Sequence, residues 1–129
     1  MLVTDAGVWV RALVDEGPGD PIRARLLAEG SVAAPALIDL EFANVLRGLL
    51  TKRTIALAAA EFALAEFLQA PIDRHSHWSL VPRVWELRHN LTAYDAAYVA
   101  LAEALGADLL SIDRRIAGAP DIRCQVILV

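Results

Sequence analysis

Several features that mark other classes of protein are scarce in this 129-residue chain. Cys124 is the only cysteine, which excludes an internal disulfide and predicts a reducing, cytoplasmic setting. The longest stretch free of Asp, Glu, Lys and Arg spans residues 30–38, whereas a membrane-spanning helix needs about 20 apolar residues. Because Asp5 interrupts the first apolar stretch and no basic region precedes it, a signal peptide is not expected either.

Positive charge is also limited, and this argues against two classes of function. The formal net charge of −4 argues against a protein that coats nucleic acid by bulk attraction, although a nuclease with metal-neutralised acids stays open. Lys52 is the only lysine. A phosphoacceptor receiver domain also carries acids at its strand ends, but it needs a lysine late in the chain, so that class is disfavoured.

Short apolar runs alternate with helical patterns along the chain, which is 57% hydrophobic. Strands are predicted at 2–4, 31–34, 71–73, 107–112 and 125–129, and helices at 7–14, 21–29, 36–51, 55–69, 79–88, 93–105 and directly after Asp113. A turn is predicted at 15–19, and Thr54 and Thr92 are predicted N-caps. The pattern predicts one α/β domain over residues 1–129, with a central, mainly parallel sheet of four to five short strands flanked by helices.

Two acidic residues follow predicted strands. Asp5 ends the first apolar run, and Asp113 follows the run that ends at Ile112. Asp is favoured as a helix N-cap, so either residue taken alone is consistent with a structural role. In open α/β sheets, however, ligands bind beyond the carboxyl ends of the strands, and a parallel sheet would bring both residues to that edge.

Two further acidic residues lie in apolar helices. Asp95 is the third residue after Thr92, so its carboxylate is expected either to complete a capping box or to keep an oxygen free for a ligand. Glu41 and Asn44 share one helix face at a spacing of three. That polar strip is either a solvated surface or part of a site.

A cluster of carboxylates requires a compensating charge. Two carboxylates about 4 Å apart repel each other by about 4 kcal/mol at an effective dielectric constant near 20. Mg²⁺ or Mn²⁺, which prefer oxygen ligands, would convert that repulsion into attraction. Because such ions activate water and stabilise a leaving oxygen, the four acids suggest hydrolysis of phosphodiesters.

The chain resembles PIN-domain ribonucleases and, within them, the VapC-like toxins of bacterial toxin–antitoxin systems. The matching pieces are the strand ending in Asp5, Glu41 between Leu37 and Leu46, Thr92-Ala93-Tyr94-Asp95-Ala96-Ala97-Tyr98, and Leu110-Ser111-Ile112-Asp113. The resemblance implies a three-layer PIN-like fold. It also implies a metal-dependent endoribonuclease that cleaves a structured cellular RNA (tRNA, rRNA or mRNA) and thereby inhibits translation.

The resemblance further assigns roles to the four acids, which are all expected to be catalytic. Asp5 and Asp95 would bind Mg²⁺ or Mn²⁺ directly, and Glu41 and Asp113 would bind it directly or through water. Thr92 would orient the pocket. Asn44 is a further supporting candidate, and Arg47 and Arg88 are candidates to face the RNA.

The resemblance also predicts partners and one weakness. Relatives of this kind are held inactive by a small cognate antitoxin, and they are usually homodimers, with larger toxin–antitoxin assemblies possible. The family commonly has a serine where this chain has Gly7. A catalytically weak or inactive PIN-like binding module is therefore the alternative. Trp9, Trp78 and Trp85 are expected in the core or on a dimer surface rather than stacked on RNA.

Overall fold

The computed structural model describes residues 1–15, 17 and 19–129. Within them, short apolar segments form the strands of a central parallel sheet. The strands are β1 (Leu2–Thr4), β2 (Val32–Pro35), β3 (Ile72–His75), β4 (Asp108–Ser111) and β5 (Val126–Leu128). The helices are α1 (Ala6–Val14), α2 (Asp20–Glu29), α3 (Ile38–Thr51), α4 (Leu57–Gln69), α5 (Val81–Glu86), α6 (Ala93–Leu105) and α7 (Arg114–Ala117). The predicted α/β fold is confirmed. The predicted turn at 15–19 includes Glu16 and Pro18, which lie outside the described residues.

The order of the strands brings two of the acids together. The sheet runs β3-β2-β1-β4-β5, and each described pair of neighbouring strands is parallel. Strand order reverses between β1 and β4, where Thr4 lies opposite Leu110. The backbone N–H of Asp5 donates to the carbonyl of Leu110 at 3.3 Å. Residues that follow β1 and β4 therefore meet at the switch point of the sheet, the usual place for a ligand in this architecture.

Helices cover the sheet in a three-layer arrangement. On one face, α6 packs against β1, β2 and β4, and its small buried side chains, Ala96, Ala97, Ala100 and Ala102, permit that close approach. On the other, α1 packs with α2, α3 and α4. The rings of Phe42 on α3 and Phe67 on α4 stack at a centroid distance of 4.0 Å. This contact fixes the part of α3 that carries the neighbouring Glu41.

Two local predictions are wrong. Thr54 does not cap α4, because its hydroxyl donates to the carbonyl of Leu49 at 3.0 Å and Ala56 is the N-cap instead. The predicted helix at 79–88 is divided into a 3-10 turn at Trp78–Leu80 and the short α5. Pro82 explains the division, since proline is accommodated only in the first turn of an α-helix. None of the helices in the described part of the chain is long and apolar enough to cross a membrane.

Candidate active site

The four acids lie on one cavity of about 270 Å³ at the carboxyl edge of the sheet. Its lining includes the acids Asp5, Glu41, Asp95 and Asp113, together with Asn44, Tyr98, Ile112 and Gly7. The acids come from four separate elements, so no local sequence motif accounts for their convergence. The structure brings together all four residues that the sequence singled out.

Asp5 is both a helix cap and a wall of the cavity. Its Oδ1 accepts from the backbone N–H of Val8 at 3.0 Å, which caps α1, and its Oδ2 accepts from the hydroxyl of Ser111. The Ser111 oxygen in turn accepts from the N–H of Asp113 at 2.9 Å. Burial raises the pKa of Asp5, whereas the hydrogen bonds from Ser111 and Val8 lower it. Ser111 is fully buried, so it links the two strand-end acids out of contact with water.

Glu41 is held by a tyrosine from the opposite layer. The hydroxyl of Tyr98, one helical turn after Asp95 on α6, donates to Oε1 of Glu41. Tyr98 is 1% exposed, so its ring is fixed by packing. Burial and the bond to Glu41 raise the pKa of Tyr98 well above its usual value, so the phenol remains a donor. One oxygen of Glu41 is therefore fixed, and the other is free to serve the cavity.

Asp95 lies in the first turn of α6, three residues after the N-cap Thr92. The hydroxyl of Thr92 accepts from the N–H of Asp95 at 3.2 Å, which confirms Thr92 as the N-cap. Burial raises the pKa of Asp95, a hydrogen bond with Thr92 lowers it, and the charge of Asp113 raises it again. No return bond from this carboxylate to the backbone of Thr92 is found among the described residues. The Asp95 carboxylate therefore lines the cavity rather than completing a capping box.

Asp113 differs from the other acids because an arginine neutralises it. Its Oδ1 accepts from the backbone N–H of Arg115 at 2.9 Å, and it caps α7. The Arg115 guanidinium also donates to Oδ1 at 3.1 Å and to Oδ2 at 2.8 Å. These side-chain bonds from Arg115 hold the pKa of Asp113 below its usual value. Asp113 is therefore a helix N-cap that also lines the cavity, as Asp5 is.

The four acids supply the ligand type that a hard divalent cation prefers, although their side chains are not arranged around a single point. The four acids offer only oxygen ligands, and burial together with neighbouring acids raises the pKa of three of them. In the described part of the chain, no three His, Cys, Asp or Glu side chains converge closely enough to hold an ion. The carboxylate of Asp113, for example, faces the Arg115 guanidinium. Direct metal binding by Asp113 would require its side chain to turn away from that arginine.

The remaining predicted residues are divided between the cavity and the outer surface. Asn44 lines the cavity, whereas Arg47 and Arg88 are exposed and are not part of its lining. A Cβ added at Gly7 would lie 2.7 Å from Cδ1 of Ile112. The isoleucine thus occupies the space that a serine at this position would need. The apolar side chain of Ile112 therefore lies where a serine side chain would be.

Three residues of the site were missed at the sequence level: Tyr98, Ser111 and Arg115. Each had a local signal. Tyr98 follows Asp95 by three residues, which places the two on one helix face. Ser111 and Arg115 flank Asp113 at a distance of two residues on either side. Their partners across the cavity depend on strand order and helix packing, which these spacings do not reveal.

Comparisons with known proteins identify the family of this chain. The family model described as PIN domain matches residues 2–121. Ribonuclease VapC9 of Mycobacterium tuberculosis is 35% identical over 129 residues, covering 100% of this chain and 98% of its own. Ribonuclease VapC1 of the same species is 39% identical over 128 residues, covering 98% and 96%. The crystal structure of VapBC2 from Rickettsia felis bound to a promoter DNA fragment has a TM-score of 0.68, with 15% identity and 97% of each chain covered, which shows the shared fold.

Proposed function

Because this chain belongs to the PIN-domain family and, within it, to the VapC ribonucleases, we propose that it is a metal-dependent endoribonuclease toxin. Its substrate would be a structured cellular RNA (tRNA, rRNA or mRNA), and its cleavage would inhibit translation. One observation carries the proposal: four acids from four elements line a single cavity at the switch point of the sheet. A cytoplasmic location, inferred from the single cysteine, is part of the same proposal.

Asp5 and Asp95 would hold Mg²⁺ or Mn²⁺ directly, and Glu41 and Asp113 would hold it directly or through water. When bound, the cation supplies Lewis-acid activation of water and neutralises charge that develops on the phosphodiester. Glu41 is suited to take the proton of the attacking water. Its Oε1 is fixed by Tyr98 and its Oε2 has no hydrogen-bond partner among the described residues. Burial raises the pKa of Glu41, which makes its carboxylate a stronger proton acceptor.

Cleavage of RNA by the purified protein tests the proposal. Total RNA incubated with the protein and Mn²⁺ or Mg²⁺ should give discrete fragments, and a chelator added beforehand should prevent them. Equal cleavage with and without chelator would contradict a metal-dependent reaction. Absence of cleavage with either metal would favour the alternative of an inactive PIN-like binding module, for which Gly7 is the one supporting feature.

Divalent metal is expected to stabilise the fold. A cation that binds the folded acids and not the unfolded chain raises the free energy of unfolding by mass action. At a hundredfold excess over its Kd, Mn²⁺ should raise the melting temperature by about 5 to 10 °C. Differential scanning fluorimetry measures this shift. Asp5→Asn, which retains an N-cap acceptor for α1, should show a much smaller shift. An unchanged melting temperature in the original chain would count against metal binding.

The homodimer is also part of the proposal. Large apolar side chains are exposed around α5 and the start of α6: Trp78 (83%), Trp85 (65%), Val81 (50%) and Tyr94 (65%). Val81 and Tyr94 line one cavity of about 230 Å³ with Leu37. Exposed apolar surface of this extent is typical of an interface. Light scattering should give twice the 14.0 kDa mass of one chain. A monomer at tens of micromolar would contradict this proposal.

A cognate antitoxin completes the proposed function. By family resemblance, it would be a small protein that places a basic side chain near the acids. The cavity suits such a side chain, because its lining residues in the described part of the chain carry four carboxylates and no cation. Co-expression with its cognate antitoxin should yield a stable complex that does not cleave RNA. Full activity of that complex would argue against inhibition through the acids.

A further inference from the structure

Arg115 lies next to the acid cavity and is bonded to one of its four acids, Asp113. Its guanidinium bonds to both oxygens of Asp113, at 3.1 Å and 2.8 Å. Burial raises the pKa of Asp95, and the charge of Arg115 offsets a small part of that rise. Arg115 therefore compensates two of the four acids without standing in the cavity itself.

The ion pair between Arg115 and Asp113 is open to exchange. The side chain of Arg115 is 84% exposed, whereas that of Asp113 is 24% exposed. Among the described residues, Asp113 is the only partner of the Arg115 guanidinium. Exposed ion pairs contribute little to stability, so a stronger cation can take the carboxylate at small cost. The guanidinium released in this way would stand at the rim of the site.

We propose that Arg115 changes partner during the reaction cycle, from Asp113 in the metal-free protein to a phosphate of bound RNA in the metal-loaded one. The inference rests on the proposed function. A guanidinium matches the geometry of a phosphate as well as that of a carboxylate, so both partners can be held by two parallel hydrogen bonds. Metal binding at Asp113 would free a positive charge where the polyanionic substrate must arrive. Arg115 is thus an RNA-binding residue that couples the two ligands.

If Arg115 exchanges partners in this way, its removal should tighten Mn²⁺ binding and weaken RNA binding. Arg115→Ala removes a competitor for Asp113, so calorimetric titration without RNA should show Mn²⁺ binding about twofold to fivefold tighter. The same variant loses a phosphate contact, so KM for a fluorescein-labelled RNA hairpin should rise about tenfold. The slope of log KM against log salt should fall by about 0.7 to 0.9.

Arg114→Ala is the matched control, because it removes the same charge from the adjacent exposed position. It should change neither the Mn²⁺ affinity nor KM beyond twofold. Weaker Mn²⁺ binding by Arg115→Ala would show that Arg115 only positions Asp113, and the inference would fail. It would also fail if Arg114→Ala reproduced both effects. If the unsubstituted chain neither bound Mn²⁺ nor cleaved RNA, the proposed function would be overturned together with this inference. Binding and cleavage that were unaffected by Arg115→Ala would overturn the inference alone.

Discussion

Asp95→Asn is expected to reduce metal-dependent RNA cleavage by at least about a hundredfold while leaving the fold intact. The substitution keeps the shape of the side chain but removes a charged ligand from the cavity that Asp5 and Asp113 share. Loss of partners that merely support metal ligands already costs about 10- to 100-fold in affinity or activity. The initial rate of RNA cleavage in saturating Mn²⁺ measures the effect.

The metal-free melting temperature of Asp95→Asn shows whether a loss of cleavage comes from a loss of structure. Burial and the charge of Asp113 raise the pKa of Asp95, so its ionised form is disfavoured in the metal-free fold. The neutral amide of Asp95→Asn should therefore leave the metal-free melting temperature unchanged or higher. Asp20→Asn is a suitable control, since it removes an exposed acid from the first turn of α2. Cleavage by Asp95→Asn equal to that of the control would refute the assigned role.

Ser111→Ala is expected to lower both the stability and the activity. The Ser111 hydroxyl is fully buried and serves two groups, as donor to Asp5 and as acceptor for the N–H of Asp113. Its removal leaves buried polar groups without partners, which should lower the free energy of unfolding by about 1 to 3 kcal/mol. The pKa of Asp5 should rise further, because the hydrogen bond from Ser111 lowers it. Mn²⁺ affinity and cleavage should consequently fall about 10- to 100-fold.

Urea denaturation and calorimetric Mn²⁺ titration measure the two parts of this prediction separately. Ser79→Ala, at an exposed position in the 3-10 turn, is the control and should change neither. Loss of stability without loss of Mn²⁺ affinity would mean that Ser111 supports the sheet edge alone. Unchanged stability would contradict the hydrogen-bond network itself.

The positions of Asp5 and Asp113 were predictable because parallel neighbours bring their carboxyl ends to one edge. The strand pattern, together with the position of both residues directly after apolar runs, is sufficient for that prediction. Thr92 was equally accessible, since N-cap chemistry is local and its spacing from Asp95 is diagnostic. Such features depend on few long-range contacts, which explains why the sequence was sufficient.

The roles of Tyr98 and Arg115 could not be predicted from the sequence. Both lie within three residues of a predicted acid, but their roles depend on which side chain stands across the cavity and how exposed each one is. The error at Thr54 has a similar origin, because a carbonyl of the preceding helix competes for its hydroxyl. The space for a serine at position 7 is filled by Ile112, which is remote in sequence. Tertiary packing decides each of these details.

The most direct test of the metal site is a crystal structure of the protein soaked in Mn²⁺, with data collected to reveal anomalous scattering. We expect an anomalous peak between the carboxylates of Asp5 and Asp95, at about 2.0 to 2.3 Å from their oxygens. We also expect Glu41 and Asp113 to contact the metal directly or through water. A cavity without such a peak at millimolar Mn²⁺, or a peak bound only at other residues, would contradict the claim that these acids form the metal site.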